Sequence, residues 1–433
     1  MDTIIEAAYP LNFRDEDAKI LGDHLQHHHS VELIGMKRVG ISNFLRFFLF
    51  HTGIKEQHMP LNGSHFFILI DLNDLIEREI FPFWRLAFKR ITDAVEESDI
   101  HAEIKKKIAN LFVSSIQSGD LFLTYDGVRE ALALLAKSSI YPVLFLSRFD
   151  RLKEAVTPEF FDNLQGLKDA TNHKLSYVFT SFRELDVLAP AVFAHKELSM
   201  FVKTLYIQPA KENDSKSIFD SFASRYHLEL TPSLVNKIIH ISGGHVQYLQ
   251  FALVILHELG EKRLNLSDDE LIDLISQDER IALQSEELWE SLSSEEKEVL
   301  FGCLKGEVNS DEEQKALYVW NAGFIKEGGS NELFSPLFSQ FVKQKQAHPD
   351  AENGQIELSK KEHKLFQVLQ EKPNEISERE DIVEKVWPEY KEYGVSDWSI
   401  DRLVARLRGK LKKQNALFEI QTVRTRGYKL ITK

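Results

Sequence analysis

The 433-residue sequence predicts an α/β body on a parallel sheet, then a helical segment, then two compact α+β units. Three observations lead there. Short apolar runs alternate with long helical patterns through residues 1–208. From 210 to 280 such runs vanish, and helical periodicity takes over. At the carboxyl end, a basic helix at 399–411 is followed by an Arg-bearing hairpin ending in Thr422-Val423-Arg424-Thr425-Arg426-Gly427-Tyr428.

Five runs are expected to be strands: 31–34, 66–71, 141–146, 177–180 and 205–208. Each is short and apolar, and helical stretches separate them. Crossovers of that kind build a parallel sheet covered on both faces. Within 210–280, the stretch 246–259 reads as an amphipathic helix. A compact unit at 283–345 opens on Ser293-Ser294-Glu295-Glu296, a capping-box pattern. The polar stretch 343–354 reads as a boundary. The expected division is therefore 1–208, 209–282, 283–345, a linker at 346–355, and a basic module at 356–433.

Composition narrows the class. With 43% hydrophobic and 28% charged residues, the chain can bury real cores and is not globally disordered. The lone Cys303 rules out an intrachain disulfide and reads as a small buried hydrophobe. No apolar run is long enough to cross a bilayer, and Met1-Asp2-Thr3 lacks the basic start of a secretory signal. A cytoplasmic location without a membrane partner is expected. The net charge of −14 is unevenly spread. Residues 356–433 carry 17 Lys/Arg against 13 Asp/Glu, a net +4, whereas 1–355 hold a net −18. Within 396–433 the balance is 10 to 3, or +7. Local field governs phosphate binding, so this is a basic module on an acidic body.

The module begins with a second capping box, Ser359-Lys360-Lys361-Glu362, and a third, Ser377-Glu378-Arg379-Glu380, opens a helix closed by Pro388. Ser396 or Asp397 can cap the basic helix. Its Ile400, Leu403, Val404, Leu407 and Leu411 form one face, and Arg402, Arg406, Gly409 and Lys413 another. Such a helix docks on a small core and presents guanidinium groups to a major groove. This is the layout of a winged helix-turn-helix. The ordered motifs LSKKEHKLFQVL, ISEREDIVEKVW, SIDRLVARLRGKL and TVRTRGYKL resemble the OmpR/PhoB-type effector domain of response regulators over the last 78 residues. Thr425 departs from the family's usual Gly. The resemblance implicates Arg402, Arg406, Lys410 and Lys413 on the helix, and Arg424 and Arg426 on the wing, as DNA-binding residues. Arg408 flanks the core.

The amino-terminal body carries a second motif. After the run at 31–34 comes Gly35-Met36-Lys37-Arg38-Val39-Gly40-Ile41-Ser42, then a helix over 43–50. This is the phosphate-loop frame with Ile41 where Lys belongs. Isoleucine offers no charge to a phosphate, although Gly35, Gly40 and Ser42 keep the loop and hydroxyl. After 141–146, Ser147 and Arg148 stand where metal-organising acids are expected, and only Asp150 remains. The segments Tyr177-Val178-Phe179-Thr180-Ser181-Phe182-Arg183 and Ile241-Ser242-Gly243-Gly244-His245, with the unit from 287 to 338, resemble the sensor strand, lid and following winged helix of STAND/AAA+ P-loop NTPases. That resemblance implies an α/β P-loop NTPase-like parallel sheet with a helical lid, followed by two winged-helix domains.

His24, His27, His28 and His29 read as a solvated run, since consecutive histidines cannot all face one ion from a helix. The phenylalanines of 44–50 read as core packing. No catalytic residue or metal ligand is assigned, and the sequence does not establish an enzyme. ATP or ADP is the one cofactor class left open, at Gly35, Gly40, Ser42 and Asp150. The favoured reading is a transcriptional regulator whose partner is double-stranded DNA. Transcription machinery and a second copy of the chain are further expected partners. No receiver domain is legible, so aspartyl phosphorylation is not expected to control it. The alternative is an ATP-binding STAND-type switch with slow or no hydrolysis. Origin-recognition-type AAA+ proteins also append winged helices, but the lost acids and the response-regulator type of wing weigh against that reading.

Overall fold

The computed structural model describes residues 4–59, 64–193, 202–306, 316–326, 332–347, 358, 360–387, 397–413, 418–423 and 426–432. The chain packs as two units, Met1–Gln250 with Ser291–Pro336, and Phe251–Glu290 with Leu337–Lys433.

The first unit is built on strands β1 (Val31–Ile34), β2 (Ser64–Asp71), β3 (Ile140–Ser147), β4 (Ser176–Ser181) and β5 (Lys203–Tyr206). All pair in parallel, in the order β2-β3-β4-β1-β5. The five sequence runs are these strands, with the last displaced two residues toward the amino end. Alternation along β2 and β3 sends side chains to two covered faces. Ile68, Ile70, Leu144 and Leu146 join the core formed with Phe83, Trp84, Phe88, Val128, Leu132 and Phe160 of the crossover helices. Phe67 and Phe145 point the other way, and Phe48 packs on both at ring-centroid distances of 5.7 and 6.4 Å. The helix carrying Phe48 runs Ile41–Phe50, two residues earlier than expected. Its Phe44 and Phe47 are fully buried, so the aromatic stretch is core packing.

β1 is buried along its whole length yet contains Glu32. That carboxylate accepts hydrogen bonds from Thr204 Oγ1 at 2.6 Å and Leu185 N at 3.1 Å. Burial pushes its pKa up to about 7, against the lowering effect of those two donors.

Ser293 caps the helix Ser294–Lys305 in a reciprocal box with Glu296, as expected. Gly243 ends the helix Pro232–Ser242 at φ 58°, and a Cβ there would lie 2.0 Å from the Phe334 carbonyl oxygen. Ser335 Oγ donates to the Ile241 carbonyl at 2.7 Å beside it. The histidine run divides: His27 and His29 are exposed, while His28 is half-buried against the Tyr141 ring. Burial, with Lys174 nearby, lowers the pKa of His28 to about 4. No group of metal-binding side chains occurs among the described residues.

The second unit contains the helices Asp268–Gln277 and Glu279–Glu290. The latter runs unbroken across the boundary expected at 282/283. Further along come Lys360–Glu371, Arg379–Val386 and Asp397–Lys413, with an antiparallel sheet of β6 (Ile376–Glu378), β7 (Phe418–Val423) and β8 (Gly427–Thr432) in the order β6-β8-β7. The apolar face of Asp397–Lys413 is as expected: Ile400, Leu403, Val404, Leu407 and Leu411 are buried with Leu365, Leu369, Ile382, Trp387, Tyr428 and Leu430.

One capping expectation is corrected. Ser377 does not open a helix; it lies in β6, and Glu378 stands at the cap position of Arg379–Val386 with no side-chain bond. The cause is β8, whose Tyr428 pairs with Ser377 and draws the residue into the sheet. Glu362 is fully buried and is held by basic residues of a neighbouring helix, while Ser359 lies outside the described residues. Pro388, Ser396 and most of the linker at 346–355 also lie outside them. Among the described residues, no helix is long and apolar enough to cross a membrane.

Candidate nucleic-acid interface and glycine loop

The basic helix Asp397–Lys413 is fixed by its apolar face, which leaves a stripe at spacings of four: Arg402, Arg406 and Lys410. The structure brings these three together and gives each a carboxylate. Arg402 Nη2 donates to Glu290 at 2.7 Å. Arg406 lies 2.9 Å from Glu286 and 3.1 Å from Glu362. Lys410 Nζ donates to the other Glu362 oxygen at 2.6 Å. With these partners the Arg402 and Arg406 side chains are only 15% and 13% exposed.

Arg408 is different. Its Nε donates to the Ile420 carbonyl and its Nη2 to Thr422 Oγ1, both at 2.7 Å, so it braces β7 against the helix. Burial lowers its pKa. Behind the helix, Arg379 donates to Asp401 at 2.6 Å and to the Tyr428 hydroxyl at 3.1 Å, and that hydroxyl donates to Asp401. Burial, reinforced by Asp401, raises the Tyr428 pKa. This network pins the first turns of the basic helix to β8. On the wing, Arg426 is exposed and lies 3.5 Å from Glu378. Gly427 follows it because a Cβ there would lie 2.0 Å from the Ser377 carbonyl oxygen. Arg424 and the Lys413 side chain fall outside the described residues.

The sequence reading missed Glu286, Glu290 and Glu362 as partners of the basic stripe. Its traces are there: acids four apart on Glu279–Glu290 match cations four apart on Asp397–Lys413. Periodicity cannot pair two helices more than a hundred residues apart.

In the first unit, the loop 35–40 leaves the carboxyl end of β1, an interior strand, and ends on Gly40 at φ 118°. Apolar groups crowd it. The direction of a Cβ at Gly35 meets Val39 Cγ1 at 2.9 Å and Ile41 Cδ1 at 3.3 Å, and at Gly40 it meets Val246 Cγ2 at 2.5 Å. Lys37 lies over the Phe182 ring at 4.7 Å, and its carbonyl is 3.0 Å from His245 Nε2. Arg148 pairs with Asp71 at the ends of β3 and β2, and its backbone N–H donates to Thr180 Oγ1 at 2.9 Å. Asp150 sits in the short 3-10 turn Phe149–Leu152, its pKa raised by burial despite Arg151, Lys37 and Arg148. Ser42 occupies the first turn of Ile41–Phe50. A magnesium–nucleotide needs a cation at the phosphates and acids at the metal. Here Ile41 stands at the lysine position of the frame and Arg148 stands beside Asp71 at the strand ends, while the cations within the loop are Lys37 and Arg38.

The body is thus an α/β fold on a five-stranded parallel sheet with a glycine loop after β1, and the described residues of the carboxyl end form three helices and a three-stranded sheet in a winged-helix arrangement. Residues 353–430 match the family model described as transcriptional regulatory protein, C terminal. This segment is an OmpR/PhoB-type effector domain. Over 78 residues it is 40% identical to the heme response regulator HssR of Staphylococcus aureus, in strains JH9 and Newman among others. The match covers 18% of this chain and 34% of the relative, so the chain spans about a third of the length of the curated relatives it matches. Among solved structures, the chain is similar to the Walker-type ATPase PABY2304 of Pyrococcus abyssi, at 14% identity and TM-score 0.42 over 76% of this chain and 95% of that one. It is also similar to the Aeropyrum pernix ORC2 protein in its ADPNP-ADP complexes, at 15% identity and TM-score 0.43 over 77% and 95%. The Aeropyrum pernix ORC1 protein in complex with DNA gives 10% and 0.40 over 97% and 88%.

Proposed function

We propose that this protein is a transcriptional regulator that binds duplex DNA through its C-terminal winged helix, with an amino-terminal body that has lost the groups of a working ATPase. One observation carries the reading. The Arg402–Arg406–Lys410 stripe lies on a helix whose opposite face is locked into the core of a domain matched to the transcriptional regulatory family. Guanidinium groups at that spacing suit base edges and phosphates of a major groove. With a site selected from random duplexes by the full chain, Arg406→Ala should weaken specific binding by about 1–3 kcal/mol, and weaken random DNA much less. Equal losses on both would overturn base reading by Arg406.

The same reading makes the body a scaffold or sensor. Ile41 in place of the phosphate-binding lysine, and Arg148 beside Asp71, support it. Calorimetric titration of the full chain with Mg-ATP should therefore give no binding heat. A saturable isotherm with micromolar Kd would instead favour the nucleotide-switch alternative.

A further inference from the structure

From the pairing of the basic stripe we infer that the acidic helix Glu279–Glu290 is a built-in mask over the DNA-reading face, so that DNA and this helix compete for Arg402 and Arg406. The inference rests on the DNA-binding reading above and adds its regulation.

Residues 251–290 carry eleven Asp/Glu against three Lys/Arg, a net −8, while 396–433 carry +7. The acids are placed as well as numerous. Glu279, Glu286 and Glu290 follow spacings of seven and four, which put them on one side of a helix. They meet, in order, Lys361, Arg406 and Arg402. Glu286 and Glu290 match Arg406 and Arg402 in reversed order, so two pairs form at one four-residue step. Other residues of the acidic helix hold it in place: Ile281, Leu283, Leu288 and Trp289 are buried. At its start, Arg280 binds Glu258 at 2.8 and 2.9 Å and Asp278 at 2.9 Å. The mask is therefore a fixed element rather than a loose acidic tail.

A carboxylate and a phosphate make the same demand on a guanidinium, parallel N–H donors from its planar fork. Donors given to Glu286 and Glu290 are withdrawn from DNA until the helix is displaced. Glu362 plays another part, because it belongs to the effector domain itself and orients Arg406 and Lys410 from beneath. The mask is the pair of acids contributed from outside the matched segment, which begins at 353.

The test uses the full chain and a labelled random-sequence duplex of about 30 base pairs, a length spanning several phosphate contacts on each strand. Glu286→Gln/Glu290→Gln keeps side-chain shape and removes both charges. It should bind about 5- to 30-fold more tightly than the parent chain, the range expected from releasing two partly covered ion pairs. Glu290→Gln alone, at a half-exposed position the core does not need, should give part of that gain. Asp220→Asn/Asp273→Asn removes the same total charge from exposed sites elsewhere and should stay within about twofold of the parent. If the parent, the Glu variants and the Asp control all bind alike, the mask is wrong and the DNA reading stands. If the Asp control gains as much as the Glu variants, general charge repulsion replaces the mask. If no form binds duplex DNA, the DNA reading fails and the mask with it.

Discussion

Arg183→Ala should destabilise the first packing unit by about 3–5 kcal/mol, the scale for removing one partner of a buried ion pair. Arg183 is 9% exposed and grips Glu296 with both terminal nitrogens. It also donates to the Ser291 carbonyl at 2.6 Å, and its Cζ lies 3.7 Å from the centroid of the Tyr318 ring. One guanidinium thus ties the end of β4 to the helix Ser294–Lys305 and to Leu317–Asn321. Glu296 serves twice, since the same carboxylate accepts from Ser293 N at 2.7 Å to close the capping box. Truncating Arg183 leaves that carboxylate buried with only its cap. Arg183→Lys should recover part of the loss but not the fork or the ring contact. Urea unfolding of the three proteins checks the order parent, Lys, Ala. A loss under about 1 kcal/mol for Ala would mean that the pair is solvated and the unit held by apolar packing alone.

Glu32→Gln should change the pH dependence of stability rather than its value at one pH. Burial raises the folded-state pKa of Glu32 to about 7, from 4.5 for the free side chain. The folded protein therefore holds this proton more tightly than the unfolded chain. The stability associated with the protonated group is complete below about pH 4.5 and is lost as the pH rises to about 7. Above that, the buried carboxylate is ionised and weakens the sheet. Glutamine fills the same space and can take the same donors from Thr204 and Leu185 through rearranged amide contacts. The stability difference between the Glu32→Gln variant and the parent should shift toward the variant by roughly 2–3 kcal/mol between about pH 4.5 and pH 8. Parallel pH profiles would show that Glu32 titrates in the folded protein as it does in the unfolded chain.

Much of this architecture was legible in the residues, for local reasons. The five strands are short apolar runs, and burial on both faces removes the polar alternation that would blur them. The basic helix announced its core face through Ile400, Leu403, Val404, Leu407 and Leu411, and the structure buries all five. What failed was non-local. Ser377 looked like a cap because its neighbours match a capping box, but pairing with Tyr428 outweighs that local preference. Glu362 also holds Arg406 and Lys410 from another helix, a role that no local capping pattern suggests. Residue types identified the candidate DNA face as a basic stripe. They could not say what covers it, because Glu290 lies 112 residues from Arg402.

The pairing of the stripe has a consequence for how its charge behaves in salt. A bare cationic face binds DNA partly by freeing condensed counterions, so affinity falls steeply as salt rises, in proportion to the phosphates met. Arg402, Arg406 and Lys410 carry tethered counterions, Glu290, Glu286 and Glu362, and a tethered ion that lets go adds nothing to the solution. Salt also loosens the internal pairs at the half-exposed Glu290, partly offsetting its effect on DNA. If the stripe meets DNA as proposed, these acids act as a built-in electrolyte, and affinity for DNA should fall less steeply with salt than for a bare cationic face.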